Sequence, residues 1–561
     1  MGTAQNEQLG TSTDTKKRVD EYKARYESMK QERAAWEPLW KEVADLVSPS
    51  RSMWDNRSRT GQSSKKTSED IYDSHAIHCV DTLVRGLVGY NVGPRIRWAD
   101  LKLSIPWLNE LPYVSDWLEE ATNILYKIFA NSNFYIAAYQ FLYDLATIGT
   151  AHMIIEDPIK YMELTYDTRH TKEVYIAEND RREIDYFTRD PYLTGRQMLR
   201  RYGDSLPKDV HDRCRKAPFD AFQILHIVHP NNEEFEDFET STSRPWVSVE
   251  IDYETDQVLW DDGFYEAPII SARWLTNSDE TYGRSPTISA FPEIKRVNEI
   301  GRTILKSAQL SVEKPLMVPD YMRGALNIVP MGLNYYKRDN RKIEPIELGS
   351  EYPVGIDVLN RMYQNIDDHY YADLFEMLTR SERQMTAREI NERMGEKVAL
   401  LAGPLTGLNN EFLKPVVLAT FHKALRNGWM PLPPIALRNA ATQIDVDFVG
   451  PLAQAQQRYH QAHNVNSGLA VIGAMAQIDP MVVDMISFDD LAKSVAKAEG
   501  FPEKAIREEV EVRKIRAERV KQQQAMQQME QLVQMGQASQ GLNQAPQKGS
   551  VAQKLIEQVE G

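Results

Sequence analysis

The sequence predicts an α+β protein, mainly helical and built from more than one domain. Three observations predict it. The chain, at 561 residues, is longer than a single hydrophobic core supports. Most of it carries apolar residues at the three- and four-residue spacing of helices. One central stretch, from about residue 148 to 275, switches to the two-residue period of strands.

Residues 14–47 read as helix because Val19, Tyr22, Tyr26, Met29, Trp36, Trp40, Val43 and Val47 form one stripe. Pro38 interrupts the pattern, so two helices are expected to meet near Glu37. The stripe is expected to pack on the chain's own core. Residues 48–70, rich in Ser, Thr, Arg and Lys, read as a loop, and helical patterns return at 71–90 and 113–147. In the central stretch, "EVYIAENDRREIDYFTR" predicts two strands around an Asn-Asp turn. "WVSVEIDYETDQVLWDDGFYEAPIISARWL" predicts three more, broken at Glu254-Thr255-Asp256 and at Asp261-Asp262-Gly263. Between them "TGRQMLRRYG" predicts a helix capped by Thr194 and stopped by Gly203.

Gly283 suits a turn of positive φ, and Ser285-Pro286 supplies an N-cap followed by proline at the first helical position. Phe291-Pro292 repeats that device, so a long helix is expected over residues 293–313. Residues 314–354, full of Pro and Gly, predict short strands and turns, and 356–378 predict a second long helix. "TRSERQ" breaks it, and Thr386 with Glu389 forms a capping box that starts another. That helix is expected to end at Gly403-Pro404, with a further one from about 405 to Asn427-Gly428. Residues 451–535 read as largely helical, and "QMGQASQGLNQAPQKGS" as disordered.

Composition narrows the function. No apolar run is long enough to span a bilayer, and the polar N-terminus carries no signal-peptide core. Cys79 and Cys214 are too few for a disulfide framework, which suits a reducing compartment. A net charge of −15 argues against a whole-surface nucleic-acid binder, so any DNA contact has to be local. Between residues 292 and 342 ten Lys or Arg stand against five acids, whereas 356–378 hold one Arg and five acids. The first long helix and the segment after it are basic and the second helix is acidic, which predicts complementary pairing within or between subunits.

Catalytic motifs are missing. "GQSSKKTS" at 61 lacks the second glycine of a phosphate loop, and no nucleophile elbow or zincin motif occurs. His75-x-x-His78-Cys79 could put two metal ligands on one helical turn, but no third is evident. His226-x-x-His229 could not do so in a strand. Asp261-Asp262 and Asp367-Asp368 read as a turn and a solvated face. No metal, cofactor or enzymatic activity is expected.

The order of elements resembles the portal, or head-to-tail connector, proteins of short-tailed phages. The matching pieces are "WEPLWKEVADLVSPSR", "DSHAIHCVDTLVRGLVG" before "RWADL", "IDYFTRDPYLTGRQMLRRYG", "APIISARW" running into "YGRSPTISAFPEIKRVNEI", "TAREINERMGEKVALLAGPLTGLNNEFLKPVV" and "FVGPLAQAQ". The resemblance covers about Arg33 to Leu452. It implies an N-terminal helical arm (1–50), a wing (51–290), stem helices (291–313 and 356–378) and a clip between them (314–355). It further implies a tunnel loop (379–385), a channel helix with wing return (386–450), a helical crown (451–535) and a disordered tail (536–561).

It implies a ring of twelve subunits at one capsid vertex in the virion, assembled in the host cytoplasm. Double-stranded DNA would pass through it, and its partners would be the terminase motor, major capsid and scaffolding proteins, and tail adaptors, with no membrane. By position, Arg380, Ser381, Glu382, Arg383 and Gln384 would form the tunnel loop. Lys337, Arg338, Arg341 and Lys342 would bind partners at the clip, and Lys295, Arg296, Arg302 and Lys306 would line the stem channel. The other readings are a different ring component of the head-tail junction and a cytosolic multidomain enzyme with an unrecognised site.

Overall fold

The structure is a computed structural model that describes residues 12–51, 69–231, 243–312, 316–317, 344–345, 352–379, 400–438, 444–451, 512 and 514–522. The chain divides into two units, residues 1–456 and 457–561. In the second unit the described residues, 512 and 514–522, are helical.

The first unit opens with α1 (Ser12–Ala34) and α2 (Glu37–Val47), separated just before Pro38 as the sequence predicts. Then come α3 (His75–Asn91), β1 (Ala99–Leu103), α4 (Pro112–Asn131) and α5 (Phe134–Thr147). The strand region contains β2 (Thr150–Lys160), β3 (Glu163–Arg169), β4 (Val174–Glu178), β5 (Ile184–Arg189) and β6 (Tyr192–Thr194). Helices α6 (Gly195–Tyr202) and α7 (Lys208–Lys216) precede β7 (Ala221–Pro230), β8 (Trp246–Asp252), β9 (Gln257–Phe264) and β10 (Ile269–Arg273).

All strand pairs are antiparallel. The largest sheet runs β4-β5-β7-β8-β9 with β6 also on β7, and a second runs β10-β2-β3. No closed barrel forms among the described residues. The turn between β4 and β5 is held by the Asn179 side-chain oxygen, which accepts from the backbone N–H of Arg181 and of Glu183 at 2.9 Å each. Strand β9 runs unbroken through Asp261-Asp262-Gly263, where a break was expected. Asp261 and Asp262 are held there by Arg18 at 2.6 Å and Arg244 at 3.1 Å, so pairing across the sheet overrides their turn preference.

Strand β7 is buried on both faces, and its alternation shows why. Phe222 and Ile224 face a core with Met198 and Tyr202 of α6 and Val210 and Cys214 of α7. Leu225 and Ile227 face the opposite core, with Val19, Tyr22, Tyr26 and Met29 of α1. The α1 stripe therefore packs on the chain's own sheet, each such side chain contributing about 1.5–3 kcal/mol. Two arginines fix the helix there. Arg18 pairs with Asp261, and Arg33 donates to the carbonyls of Thr171 and Val174 at 2.9 and 3.2 Å.

Helix α6 has the predicted Thr194 cap, which Gln197 completes as a capping box. The Thr194 hydroxyl accepts from the Gln197 N–H at 3.4 Å, and the Gln197 side chain accepts from the Thr194 N–H at 2.9 Å. Gly203, at φ 57°, ends it. Thr194→Ala is expected to cost about 1 kcal/mol in urea unfolding and Thr194→Ser much less. Equal losses would show that the cap bond contributes nothing.

The long helix begins earlier than predicted. Helix α8 spans Pro286–Val312 and runs through Pro292 without stopping. The proline sits on the exposed face, while Ala290, Phe291, Ile294 and Val297 are buried along the opposite one, so packing outweighs one lost backbone bond. After it come the short antiparallel pair β11 (Leu316–Met317) and β12 (Glu344–Pro345). The second long helix is broken into α9 (Tyr352–His369) and α10 (Ala372–Thr379), with Tyr371 at φ 53°. No glycine or proline announces that break.

Gly403-Pro404 does not end a helix. It lies in the first turn of α11 (Ala402–Leu408), where proline is tolerated. A π-helical turn (Asn409–Leu413) then leads into α12 (Lys414–Arg426), closed by Gly428 at φ 69°. Strand β13 (Ile444–Phe448) pairs with β1. One extended core joins α3, α4, α5 and α12 with the inner faces of α8, α9 and α10.

Candidate channel stem and its anchorage

Helix α8 has 27 residues and so extends ~40 Å. The Ser285 hydroxyl caps it by accepting from the Ile288 N–H at 2.9 Å and itself donates to the Thr147 carbonyl at 2.8 Å. The Thr287 hydroxyl donates to the Ala146 carbonyl at 2.8 Å and accepts from the Tyr370 hydroxyl at 2.7 Å. The start of α8 is thus tied to the end of α5 and to the end of α9. The bonds to Thr147 and Ala146 use orphan carbonyls at the end of α5, and the bond from Ile288 uses an orphan N–H at the start of α8.

Gly283 is needed at this corner, but not for positive φ. Its φ is ordinary, and its Cβ would lie 2.3 Å from the Gly149 carbonyl oxygen. Gly149 is the residue with positive φ, at 96°, and its own Cβ would lie 2.3 Å from the Gly283 carbonyl oxygen. Two backbones cross here at a distance that no side chain permits.

Next to the crossing, Arg273 is 6% exposed and joins three elements. It pairs with Glu178 of β4, donates to Glu411 of the π-helical turn at 2.7 Å, and reaches the Arg182 carbonyl at 3.1 Å. Burial works against its charge, but the hydrogen bonds it donates to Glu411 and Glu178, with the attraction of their charges, outweigh that and raise its pKa. Sequence reading missed Arg273, because its partners lie 95 and 138 residues away.

Halfway along α8, the Asn298 side-chain oxygen accepts from the backbone of Tyr72 and Asp73 at 2.7 and 3.3 Å. Gly301, one turn on, lets the Tyr72 backbone approach.

The four stem cations all face solvent. Lys295, Arg302 and Lys306 stand on one stripe, with Arg296 to its side. Most carry a carboxylate beside them: Lys295 pairs with Glu42, Arg296 with Glu293 at 3.9 Å, and Arg302 with Glu299 at 3.6 Å. Among the described residues Lys306 has no carboxylate partner. The surface of α8 is therefore less basic than its Lys and Arg content suggests.

Helices α8 and α9 pack together. Among the described residues no ion pair links the two. The contact is apolar, with Ile294 and Val297 in one core with Ile366 and Tyr370. Asp367 turns instead toward α3, where it meets His75 at 2.8 Å and Cys79 at 3.2 Å. His78 is exposed and takes no part. His226 and His229 do not converge either. The first bonds Ser248 at 3.0 Å and the second lies 3.0 Å from the Tyr22 hydroxyl.

Of the other candidates, Lys337, Arg338, Arg341 and Lys342 lie outside the described residues, as do Arg380, Ser381, Glu382, Arg383 and Gln384. The phosphate-loop-like segment at 61, the capping box at Thr386 and Glu389, and almost all of 451–561 do so too. No helix among the described residues is long and apolar enough to cross a membrane.

The family described as "Bacteriophage head to tail connecting protein" matches residues 19–506. The chain is 27% identical over 545 residues to the "Probable portal protein" of Bordetella phage BPP-1, covering 94% of this chain and 95% of that one. It is 25% identical over 528 residues to the "Portal protein" of Salmonella phage epsilon15, covering 91% and 92%.

Proposed function

This chain belongs to the bacteriophage head-to-tail connecting protein family, and from that premise we propose that it forms the DNA channel of the head-tail junction. Twelve copies close into a ring at one vertex of the capsid, set among the major capsid and scaffolding proteins. The genome is packaged and later ejected through its centre. The α8–α9 pair is the wall of the channel, and the corner at Gly149 and Gly283 is where each subunit turns into it. The protein carries no enzymatic activity of its own; the terminase motor and then the tail adaptors dock on it. It assembles in the host cytoplasm and remains in the virion.

One observation carries this reading: the stem presents cations that are largely offset by Glu42, Glu293 and Glu299. Every phosphate held by an unpaired cation adds salt-dependent affinity and brakes sliding. A wall whose charges are already paired lets a polyanion pass. Lys337, Arg338, Arg341 and Lys342 give the clip a dense cationic collar that steers an acidic docking partner. Arg380, Ser381, Glu382, Arg383 and Gln384 form a mixed-charge loop that holds each phosphate only briefly.

Negative-stain images and light scattering of the purified protein are expected to give a ring with a central hole, and a monomer at micromolar concentration would overturn the ring. Replacing residues 380–384 by a Gly-Ser linker is expected to leave rings and heads intact but the heads short of DNA. Full genomes in such heads would remove the loop from the mechanism.

A further inference from the structure

We propose that His75, Cys79 and Asp367 form a binding site for a thiophilic divalent transition-metal ion, zinc(II) foremost, which clasps α9 to α3. The inference uses only local geometry and stands whether or not the chain lines a channel.

His75 and Cys79 are four residues apart on α3, so their side chains lie on one face, a turn apart. Asp367 comes to them from α9. Its Oδ1 lies 2.8 Å from His75 Nε2 and 3.2 Å from Cys79 Sγ, and the three donor atoms all fall within 4.8 Å of one another. A tetrahedral zinc ion, with bonds of about 2.0 Å to nitrogen and 2.3 Å to sulfur, separates its ligand atoms by about 3.3–3.6 Å. The Asp367 oxygen stands a little inside that spacing from the other two donors, at 2.8 and 3.2 Å.

The donor set selects the class of ion. Magnesium and calcium take oxygen ligands, whereas a thiol and an imidazole beside one carboxylate suit zinc and its neighbours. Three protein ligands leave a fourth position for water. The Cys79 thiol is buried at 1% exposure, while the His75 and Asp367 side chains are 27% and 29% exposed, so an ion has an entrance on one side and an anchored sulfur on the other.

The surroundings hold the ligands in place from both helices. Asp73 accepts from the His75 backbone N–H at 2.9 Å through one oxygen and from the Tyr363 hydroxyl at 2.5 Å through the other. The Tyr363 ring lies 4.4 Å from the His75 ring. Such outer contacts fix the orientation of a ligating imidazole. The third ligand was invisible in the sequence because Asp367 lies 288 residues from Cys79.

The test is titration of the full chain with cobalt(II), then zinc(II). Binding is expected to produce a thiolate-to-cobalt charge-transfer band that saturates at one ion per chain, and zinc is expected to abolish it by displacement. Cys79→Ser should remove the band and Cys214→Ser should not. His75→Gln and Asp367→Asn should each weaken cobalt binding by about tenfold or more. Zinc should raise the melting temperature of the unmodified protein but not of these two variants, which keeps the test intact where Cys79→Ser does not fold. Absence of a charge-transfer band, or a band that persists in Cys79→Ser, would overturn the site and leave a hydrogen-bonded triad.

Discussion

Gly149→Ala is expected to cost several kcal/mol and to leave little folded protein, whereas Gly203→Ala costs about 1 kcal/mol. Both glycines have positive φ, at 96° and 57°, so both variants carry backbone strain. The difference is the crossing. A Cβ at Gly149 meets the Gly283 carbonyl oxygen at 2.3 Å and the Ser285 backbone nitrogen at 2.7 Å, while one at Gly203 meets nothing within 4 Å. Backbone atoms cannot rotate aside as a side chain can, so the overlap must push the start of α8 away from α5. The bonds from Ser285 to Thr147 and from Thr287 to Ala146 would be lost with it. Denaturant midpoints of the two variants check this directly. Equal losses would mean that strain alone matters and that the close approach is relaxed at little cost.

Acid is expected to destabilise the fold by about 2–3 kcal/mol per pH unit near pH 5, through four histidines held neutral, three of them buried and His170 half-buried. Desolvation pushes His152 and His170 down to about 3, and His226 and His229 to about 4. The unfolded chain takes a proton at each near 6.5. Between those values the unfolded state binds more protons, so stability present above about pH 6.5 is lost as pH falls.

Two carboxyls act in the opposite sense. Desolvation raises Asp144 and Asp190 to about 7, so in the window from about 4 to 7 the folded state binds more protons there. Four histidines outnumber two carboxyls, and unfolding near pH 5 should take up about two protons. Urea unfolding from pH 7 to 4.5 measures that slope. His152→Gln with His170→Gln should bring the slope near zero. An unchanged slope would assign acid sensitivity to surface carboxylates.

Local chemistry made much of the architecture legible in advance. The α1–α2 division at Pro38, the Thr194 cap, the Asn179 turn and the Ser285-Pro286 start all follow from residues within four positions of one another. The misreadings share a cause. Pro292 reads as a helix start and Gly403-Pro404 as a helix end, yet each lies inside a helix whose neighbouring side chains are buried. Asp261-Asp262-Gly263 reads as a turn, yet β8 on one side and Arg18 and Arg244 beyond hold it extended. At Pro292 and at Asp261-Asp262-Gly263 burial or a distant partner outweighed a preference of about 1–3 kcal/mol, whereas Gly403-Pro404 lies in a first turn, where proline is tolerated.

By itself the sequence determined the class of the protein: mixed helix and strand, no catalytic motif, and an order of elements shared with phage connectors. Those properties rest on periodicity, punctuation and motif order, which are local or linear quantities. The tertiary structure alone decided the contacts that give the α8–α9 pair its character. It paired three of the four α8 cations with Glu42, Glu293 and Glu299, joined α8 to α9 through apolar side chains, and brought Asp367 to His75 and Cys79. It also set Gly149 against Gly283, 134 positions along the same chain. A one-dimensional pattern records which face of a helix is apolar, because that repeats every few residues. Which distant group meets that face depends on the path of the backbone through space, and no local spacing encodes it.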